Sequence, residues 1–544
     1  RAASRVPCRS TGAPKLVSVL STQKDWRAAA AEVTAEAKYQ IRGSPEQGYA
    51  FGVALVHGHG TASVADIAEK LDGNLLTRGA LVAAAVEGCY GLGTDGERHA
   101  ASKGSPGIQF IGVQTPSDTP WGGSEGEQLT DAEGQQRDVL RQAQPFFLGK
   151  QQLLEISSLI MRLNSRTRVR GAKDSTTARA WQQYLGAENC LVKGILLFVD
   201  PLASKYTVSQ VLSGLDLAFP AATKCGAVCS DLGPGRVHAA VGRADWQPHG
   251  QKTSAADPEF AGVAGLLLPS CLSLHSLVTP CAVRVGPELQ VTRAHGQVID
   301  EIKLPWEQDE LTPQQAFQVI LDAAPAAQQR AVSRDGFLLG FEAPEVLAGQ
   351  LDADRSKEFD DIWGSSERAP SYVALAKQAG SSDWLLRSQE PLPDGGVVVR
   401  REDLKRVPPR VGAQWVRMQL HTLDTGWGRE ELRRMLLRYA GARLMLPQAG
   451  TPVGWLACVC RHWAARAEAL GEEQVAYEEL RQAIGDGRLP VAGASVCGEI
   501  APQGVTLGGL DQRRTARHGH TASCCLISYE PRGLVADETQ QTPE

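Results

Sequence analysis

The stretch YAFGVALVH (49–57) decides the fold, because its nearly unbroken apolar run predicts a strand buried on both faces. Ser63 and Asp66 then form a capping box that opens a helix through Leu71. A second apolar strand, LVAAAVEGC (81–89), follows that helix. Strands and helices that alternate in this way predict an α/β (α+β) protein, with mixed β-sheets flanked by helices.

Further strands are predicted along the whole chain, first alternating with helices and later clustering. CAVRVG and LQVTRA (281–294) have the pattern of a hairpin that turns at Gly286-Pro287. The other predicted strands are KGILLFVDP (193–201), CGAVCSD (225–231), AGVAGLLLP (261–269), QWVRMQLH (414–421), GWLACVC (454–460), VAGASVCGEI (491–500) and TASCCLI (521–527).

The length predicts two or more domains. A family resemblance, carried by motifs quoted below, implies that they cover residues 16–310 and 311–528. Residues 115–180 are first polar and acidic and then basic, which indicates an insertion or long loop. Within it, Leu153, Ile156, Ile160 and Leu163 fall at helical spacing. That stripe could bind a partner, but packing onto its own domain is the commoner use of an amphipathic helix.

Both ends of the chain are predicted to lie outside these domains. The leader (1–15) belongs to a stretch, residues 1–24, with five Lys or Arg and no acidic residue. This composition fits the remnant of an organelle transit peptide, which favours a chloroplast or plastid. A disordered basic leader on a cytoplasmic protein fits equally well. The tail (529–544) is polar and predicted to be loose.

The bulk numbers exclude several partners. A formal net charge of −5 and a pI near 6.2 give no attraction to nucleic acid, and no apolar run is long enough to span a membrane. The twelve cysteines are scattered, without paired C-x-x-C units, which favours thiols in a reducing intracellular compartment. We expect a soluble globular protein with no cofactor.

Enzyme signatures such as G-x-S-x-G, the Walker A loop and H-E-x-x-H are absent from the sequence. ACVCR (457–461) places Arg461 close after Cys458, and a neighbouring guanidinium favours the reactive thiolate. A thiol-dependent enzyme that uses Cys458 is therefore one alternative. Inert packing is the other, because cysteine is among the most buried residue types.

Two similar strings, HGHGTAS (57–63) and HGHTAS (518–523), raise the question of a split metal site, since histidines at i and i+2 on a strand share a face. The first string ends a strand and caps a helix, so its Thr-Ala-Ser has a local use. We predict no metal and retain only His518 as a candidate site residue.

The C-terminal segments resemble the FIST C-domain (F-box and intracellular signal transduction). Its aspartate-aromatic-aliphatic-aliphatic-arginine box is similar to DWLLR (383–387), and its Cys-x-Gly-Arg-Gly box is similar to ACVCR. LPVAGASVCGEIAP (489–502) resembles its Gly-Glu-Ile segment, with Gly498 and Glu499. His518 and Thr521 match its His-Gly-aromatic-Thr ending. Cys460, His462 and His520 depart from these patterns, which implies an altered pocket.

The N-terminal half is similar to the FIST N-domain, through VALVHGHG, AAAVEGCYG, GILLFVDP, CGAVCSD, AGVAGLLL and GPELQVTRAHGQVIDEI (286–302) in order. The resemblance implies an intracellular sensory protein that is not an enzyme and binds a small, amino-acid-like ligand or a protein partner. It places the ligand at Cys458, Arg461, Gly498, Glu499, His518 and Thr521. Arg461 and Glu499 would meet the ligand's carboxylate and amine.

The same resemblance leaves a second alternative open. In eukaryotes a FIST segment can follow an F-box, so the protein would be a substrate-recognition adaptor of a ubiquitin ligase. No F-box is visible before residue 16, and it would lie upstream of Arg1.

Overall fold

The computed structural model describes most of the chain. The residues it describes are 14–41, 49–59, 64–75, 80–92, 98–101, 105–114, 128–130, 136–140, 142–166, 173–200, 208–229, 237–241, 262–295, 298–342, 384–387, 389–395, 397–399, 416–444, 450–469, 489–502, 505–506, 515–518 and 521–530.

The described strands are β1 (Lys15–Ser21), β2 (Tyr49–His57), β3 (Ala80–Ala85), β4 (Gly88–Leu92), β5 (Arg98–Ala101), β6 (Gly107–Gln114), β7 (Gln128–Thr130), β8 (Gln136–Val139), β9 (Gln144–Gly149), β10 (Cys190–Leu191), β11 (Gly194–Val199), β12 (Thr223–Val228), β13 (Val237–Val241), β14 (Gly262–Leu267), β15 (Leu272–Pro280), β16 (Ala282–His295), β17 (Val298–Lys303), β18 (Leu338–Glu342), β19 (Trp384–Arg387), β20 (Gln389–Pro391), β21 (Val397–Val399), β22 (Val416–Leu423), β23 (Thr451–Cys460), β24 (Val491–Val496), β25 (Gly498–Pro502), β26 (Val505–Thr506), β27 (Thr515–His518) and β28 (Thr521–Tyr529).

The described helices are α1 (Trp26–Gln40), α2 (Val64–Leu75), α3 (Lys150–Arg166), α4 (Lys173–Tyr184), α5 (Val208–Ala218), α6 (Pro313–Ala323), α7 (Ala326–Asp335), α8 (Thr425–Leu444) and α9 (Arg461–Ala469). Together with the strands they confirm the predicted α/β class with mixed sheets. None of these helices combines the length and apolar content needed to cross a membrane.

Three sheets surround one central core. Their strand orders are β1-β6-β2-β3-β13 for the first, β9-β14-β11-β12-β25-β27 for the second and β26-β15-β28-β23-β24-β4-β5 for the third. Apolar side chains from all three meet in a single cluster, represented by Val53, Leu196 and Leu456. The central core is therefore shared by both halves of the chain.

The same pairing pattern occurs in each of the three sheets. Two parallel strands lie side by side, β2 with β3, β11 with β12 and β23 with β24. A returning antiparallel strand then pairs with the first of the two, as β6, β14 and β28 do. A fourth strand precedes the parallel pair in the chain and pairs antiparallel with the returning strand. This fourth strand is β1, β9 or β15. The chain thus contains three copies of one βαβ-based unit.

Each unit donates a strand to the next sheet. After β3 the chain enters the third sheet, where β4 pairs with β24. After β24 it enters the second sheet, where β25 pairs with β12. After β12 it returns to the first sheet, where β13 pairs with β3. The exchange closes a ring of three units through backbone hydrogen bonds.

Both faces of the parallel strands are buried, as their continuous apolar sequences predict. On β2, Phe51, Val53 and Leu55 point into the central core, while Ala54 and Val56 face α1 and α2. The outer face of the second sheet packs on α3, α4 and α5, and that of the third packs on α8. Helices therefore cover the outside of each sheet.

The fourth large sheet has the order β19-β18-β22-β16-β17-β21-β20 and packs against α6 and α7. It corrects the predicted hairpin at Gly286-Pro287, because β16 runs straight through this point. Both halves of β16 pair with β22, and the extra residues form a bulge between Val285 and Glu288. Gly286 adopts a φ of +70°, which suits a bulge as well as a turn.

The predicted insertion (115–180) contains β7, β8, β9 and α3. Within α3, Ile156 is buried in the core under the second sheet, and Leu153 and Ile160 pack against that core. The helical stripe thus packs onto its own fold. β9 completes the edge of the second sheet, so part of this segment belongs to a repeated unit.

The predicted domain boundary at residue 310 falls between β17 and α6. Strands from both sides of it pair within the second, third and fourth sheets. The division into two domains stays a prediction. Residues 1–13 of the predicted leader, the tail beyond Glu530 and Asp383 of the DWLLR box lie outside the described residues. The predicted bounds are slightly wrong, because β1 begins at Lys15 of the leader and β28 ends at Tyr529 of the tail.

A substitution at Gly226 tests how closely the backbones of the paired strands β11 and β12 approach each other. A Cβ at this position would lie 1.7 Å from the carbonyl oxygen of Leu197. We expect Gly226→Ala to lower the free energy of unfolding by about 1–3 kcal/mol, measured by urea denaturation. Gly73→Ala is the control, because a Cβ there meets nothing within 4 Å and helix α2 should gain stability. Equal stability of both variants would contradict this packing.

A buried histidine makes the fold sensitive to acid. Burial, and then the charge of Arg443, lower the pKa of His275 to about 3. The ring Nδ1 lies 2.8 Å from the Tyr439 hydroxyl, and Nε2 lies 3.3 Å from Oγ of Ser273. The folded protein therefore holds this ring in its neutral form.

Below the ordinary histidine pKa of 6.5, the unfolded chain takes up a proton at His275 that the folded chain does not. We expect the free energy of unfolding to be unaffected by this group above pH 6.5 and to fall progressively from there toward pH 3. Each unit of pKa difference corresponds to about 1.4 kcal/mol. Urea denaturation across this range should show a shallower acid loss for His275→Gln. The same slope in both proteins would contradict the prediction.

Candidate functional site

The carboxyl ends of the three parallel strand pairs meet at one end of the central core. The backbone N–H of Glu87, just after β3, donates to the carbonyl of Ser495 on β24 at 2.8 Å. The N–H of Cys497, just after β24, donates to the carbonyl of Val228 on β12 at 3.1 Å. Ligands of open α/β sheets bind outside the carboxyl ends of strands where the chain changes direction. This end of the core is therefore the candidate site.

The residues at this end follow from the strand register. The last paired residues of the three parallel pairs are Val56 with Ala85, Val199 with Val228, and Cys460 with Val496. The next residues are His57, Asp200 and Arg461 on the first strands, and Val86, Cys229 and Cys497 on the second. We call His57, Glu87, Asp200, Cys229, Arg461 and Cys497 the carboxyl-end cluster.

Arg461, Glu87 and Cys497 contact one another. Arg461 Nη1 lies 3.5 Å from Glu87 Oε1 and 3.7 Å from Cys497 Sγ. The Cys497 thiol donates to the same Glu87 oxygen at 3.3 Å. The Arg461 side chain is 43% exposed and that of Glu87 is 15% exposed. A cation at the surface thus lies over a largely buried carboxylate.

Histidines also occur at this end of the core. His57 is buried, and its Nδ1 lies 3.1 Å from the carbonyl oxygen of Val86. Burial, followed by the charge of Arg461, lowers the pKa of His462, while Glu87 opposes that shift. Burial and the neighbouring His57 lower the pKa of His59. His59 and His462 are therefore neutral at physiological pH.

Cys229 and Asp200 extend the cluster toward the interior. Burial raises the pKa of the Cys229 thiol, and the nearby Asp200, Cys497 and Cys458 raise it further. Asp200 is 2% exposed, and its backbone N–H donates to the carbonyl of Gly262. Asp200 is thus a buried acidic residue near the Cys229 thiol.

Glu499 lies on the inner side of β25. It is fully buried, and its Oε2 accepts a hydrogen bond from the Thr521 hydroxyl at 2.6 Å. His518 is opposite Glu499 across β25 and β27, and its Nε2 lies 3.0 Å from the carbonyl oxygen of Ala501. Gly498 pairs with Val228 on β12. Three of the predicted residues thus share one pair of strands, and Thr521 reaches them from β28.

Cys458 is buried in the central core beside these groups. Burial raises the pKa of its thiol above the ordinary range, and the charge of Glu499 adds to the shift. The same carboxylate helps to raise the pKa of Cys281. Cys458 is therefore a protonated thiol at neutral pH, a poor nucleophile.

The structure divides the predicted site residues into two groups. Arg461 lies at the surface with Glu87 and Cys497, whereas Cys458, Glu499, His518 and Thr521 lie in the interior. Sequence reasoning missed Glu87, Asp200 and Cys229 as site residues. Their shared position directly after apolar strands was a usable signal, but only strand pairing shows that three such positions converge.

Ser63, the predicted helix cap of the first histidine-containing string, lies outside the described residues, so the predicted difference between the two strings stays a prediction. His57 ends β2 and His518 ends β27, while His520 lies outside the described residues. Among the described residues, His, Cys, Asp and Glu side chains form no group of three placed to hold a metal ion.

Sequence comparison assigns a class to this architecture. The fold is α/β, with a polar cluster at the carboxyl ends of converging strands. The family model of the FIST N domain matches residues 50–303, so the chain contains a FIST N domain, generally a sensory domain of signal transduction. No curated protein matches the chain. The FIST C-domain and an F-box stay predictions.

The hydrogen bond between Thr521 and Glu499 can be tested by its loss. Thr521→Val keeps the shape but leaves the buried carboxylate with one donor fewer, so we expect the free energy of unfolding to fall by about 1.5–3 kcal/mol. Thr279→Val is the matched control, since that buried hydroxyl donates to the weak acceptor sulfur of Met435. We expect a loss of about 1 kcal/mol or less there. Equal losses in urea denaturation would refute a special role for Thr521.

Proposed function

We propose that this chain is a non-catalytic sensory protein that binds a small, amino-acid-like ligand at the carboxyl-end cluster. The single observation that carries the proposal is the contact of the exposed Arg461 with the largely buried Glu87 where three strand pairs converge. A guanidinium binds a carboxylate through two parallel hydrogen bonds, and a partly buried carboxylate is a good acceptor for an ammonium group. An amino acid carries both groups on one carbon.

The positions of the two acidic residues refine the pairing implied by sequence. Glu87 is the carboxylate in contact with Arg461. We therefore choose Glu87 first as the residue that binds the ligand's amine. Glu499 lies deeper and is held by Thr521. In this arrangement Glu499 adds negative charge behind the site and stabilises the strand β25 that carries it.

The ring of three units supports a sensory role in a second way. β3, β12 and β24 each end at the cluster and continue into a neighbouring sheet. A ligand that contacts these ends interacts with all three units at once. Small movements of one unit would therefore reach the others through paired backbone.

A thiol-dependent enzyme that uses Cys458 finds no support in the site. Its thiol is buried within the core and its pKa is raised, whereas a catalytic nucleophile needs a thiolate and a base within reach. A ligand-binding role uses instead the exposed Arg461 and the adjoining Glu87.

The proposal predicts that ligand binding depends on charge at the cluster. Amino acids and related metabolites are screened for a rise in Tm of the full chain. A ligand at 100 times its Kd adds about 2.7 kcal/mol, which corresponds to a rise of a few degrees. We expect Arg461→Ala and Glu87→Gln to abolish the rise, and Glu499→Gln to reduce it.

Arg417→Ala is the matched control, because Arg417 is an exposed arginine whose Nη1 also lies 3.5 Å from a glutamate, Glu288. This variant should keep the full ligand-induced shift. Equal shifts in wild type, Arg461→Ala and Arg417→Ala would refute the proposed site. Isothermal titration calorimetry with the best metabolite then measures Kd in each protein.

A further inference from the structure

Cys497 differs from the cysteines of the central core by its surroundings. Cys225, Cys229, Cys458 and Cys525 are buried there, whereas Cys497 is half-buried at the end of β24. Its thiol donates to Glu87 Oε1 at 3.3 Å, and Arg461 Nη1 lies 3.7 Å from its sulfur. The Arg461 guanidinium favours the thiolate form of Cys497.

A second cysteine, Cys229, lies close to Cys497 through the backbone. The backbone N–H of Cys497 donates to the carbonyl oxygen of Val228, the residue before Cys229, at 3.1 Å. Standard backbone dimensions and a straight hydrogen bond limit the Cα–Cα distance between Cys497 and Cys229 to about 7 Å. Disulfides join Cα atoms about 4.4–6.8 Å apart.

We propose that Cys497 is a hydroperoxide-reactive thiol and that Cys229 is its resolving partner, so that the pair forms a reversible disulfide. An accessible thiol with a stabilised thiolate and a neighbouring second cysteine is the arrangement of redox-sensing sites. The disulfide would link β12 to β25, and therefore the second unit to the third. This inference depends on the thiols alone and not on the amino-acid-like ligand.

The chemistry requires only a hydroperoxide as co-reactant. The Cys497 thiolate attacks the terminal peroxide oxygen, so that an S–O bond forms and the O–O bond breaks. The leaving alkoxide or hydroxide takes up the thiol proton and departs as alcohol or water. The Cys229 sulfur then attacks the Cys497 sulfenic acid. An S–S bond forms, the S–O bond breaks, and water leaves with the Cys229 proton.

The two steps have different expected rates. Cys497 has the Arg461 guanidinium in contact, while burial and Asp200 raise the pKa of the Cys229 thiol. Formation of the disulfide is therefore the slower step, and the sulfenic acid should accumulate before it. Oxidation also removes the hydrogen that Cys497 donates to Glu87, which frees that carboxylate and Arg461 to rearrange.

The test uses the reduced full chain and a limiting amount of hydrogen peroxide. Samples taken over time receive dimedone, which traps sulfenic acid, and then iodoacetamide, before peptide mass spectrometry. We expect the dimedone adduct on Cys497 first and a Cys229–Cys497 cross-linked peptide later, which disappears with dithiothreitol. Both products should be formed by folded protein and lost when urea is present.

Variants separate the roles of the two thiols. Cys229→Ser should keep the dimedone adduct and lose the cross-link, whereas Cys497→Ser should lose both. Arg461→Gln should slow the oxidation of Cys497. Cys190→Ser is the matched control, since Cys190 is also half-buried, and should react as wild type does. Circular dichroism melts confirm that each variant is folded.

Three outcomes would overturn the inference. One is oxidation of Cys190 or a core cysteine before Cys497. Another is a first cross-link that joins any pair other than Cys229 and Cys497, such as Cys225 with Cys525. The last is an unchanged cross-link yield in Cys229→Ser.

Discussion

The exchange of strands between sheets is the constraint on which the rest of the structure depends. β4, β25 and β13 each leave the unit that precedes them and complete the sheet of another unit. A strand that left its unit without a partner would bury unpaired N–H and C=O groups, which is costly. The three sheets therefore form together, and both halves of the chain contribute to one core.

This constraint also creates the polar end of the molecule. Parallel strands must end at the same edge, and the exchange brings three such edges to one end of the core. Charges placed there interact in surroundings of lower effective dielectric than water, so each contact is stronger than on an open surface. The contact of Arg461 with Glu87 and Cys497 joins the third unit to the first, and the contact of Cys497 with Val228 joins it to the second.

Much of the local structure could be predicted because it depends on continuous stretches of the sequence. The apolar runs of β2 and β23 are buried on both faces, as such runs require, and the stripe that includes Ile156 packs onto its own fold. The prediction of a hairpin at Gly286-Pro287 was wrong, because a glycine with positive φ fits a bulge as well as a turn. Pairing of both halves of β16 with β22 decides between them.

The sequence by itself determined the class of the fold and indicated candidate site residues. Arg461 and Glu499 were indicated because each follows or ends an apolar strand, and Thr521 was indicated by the resemblance to the FIST C-domain. Only the tertiary structure decided that Glu87, more than three hundred and fifty residues earlier, contacts Arg461, and that Cys458 is enclosed. The physical reason is that exposure and proximity arise from pairing between distant strands, which no local pattern encodes.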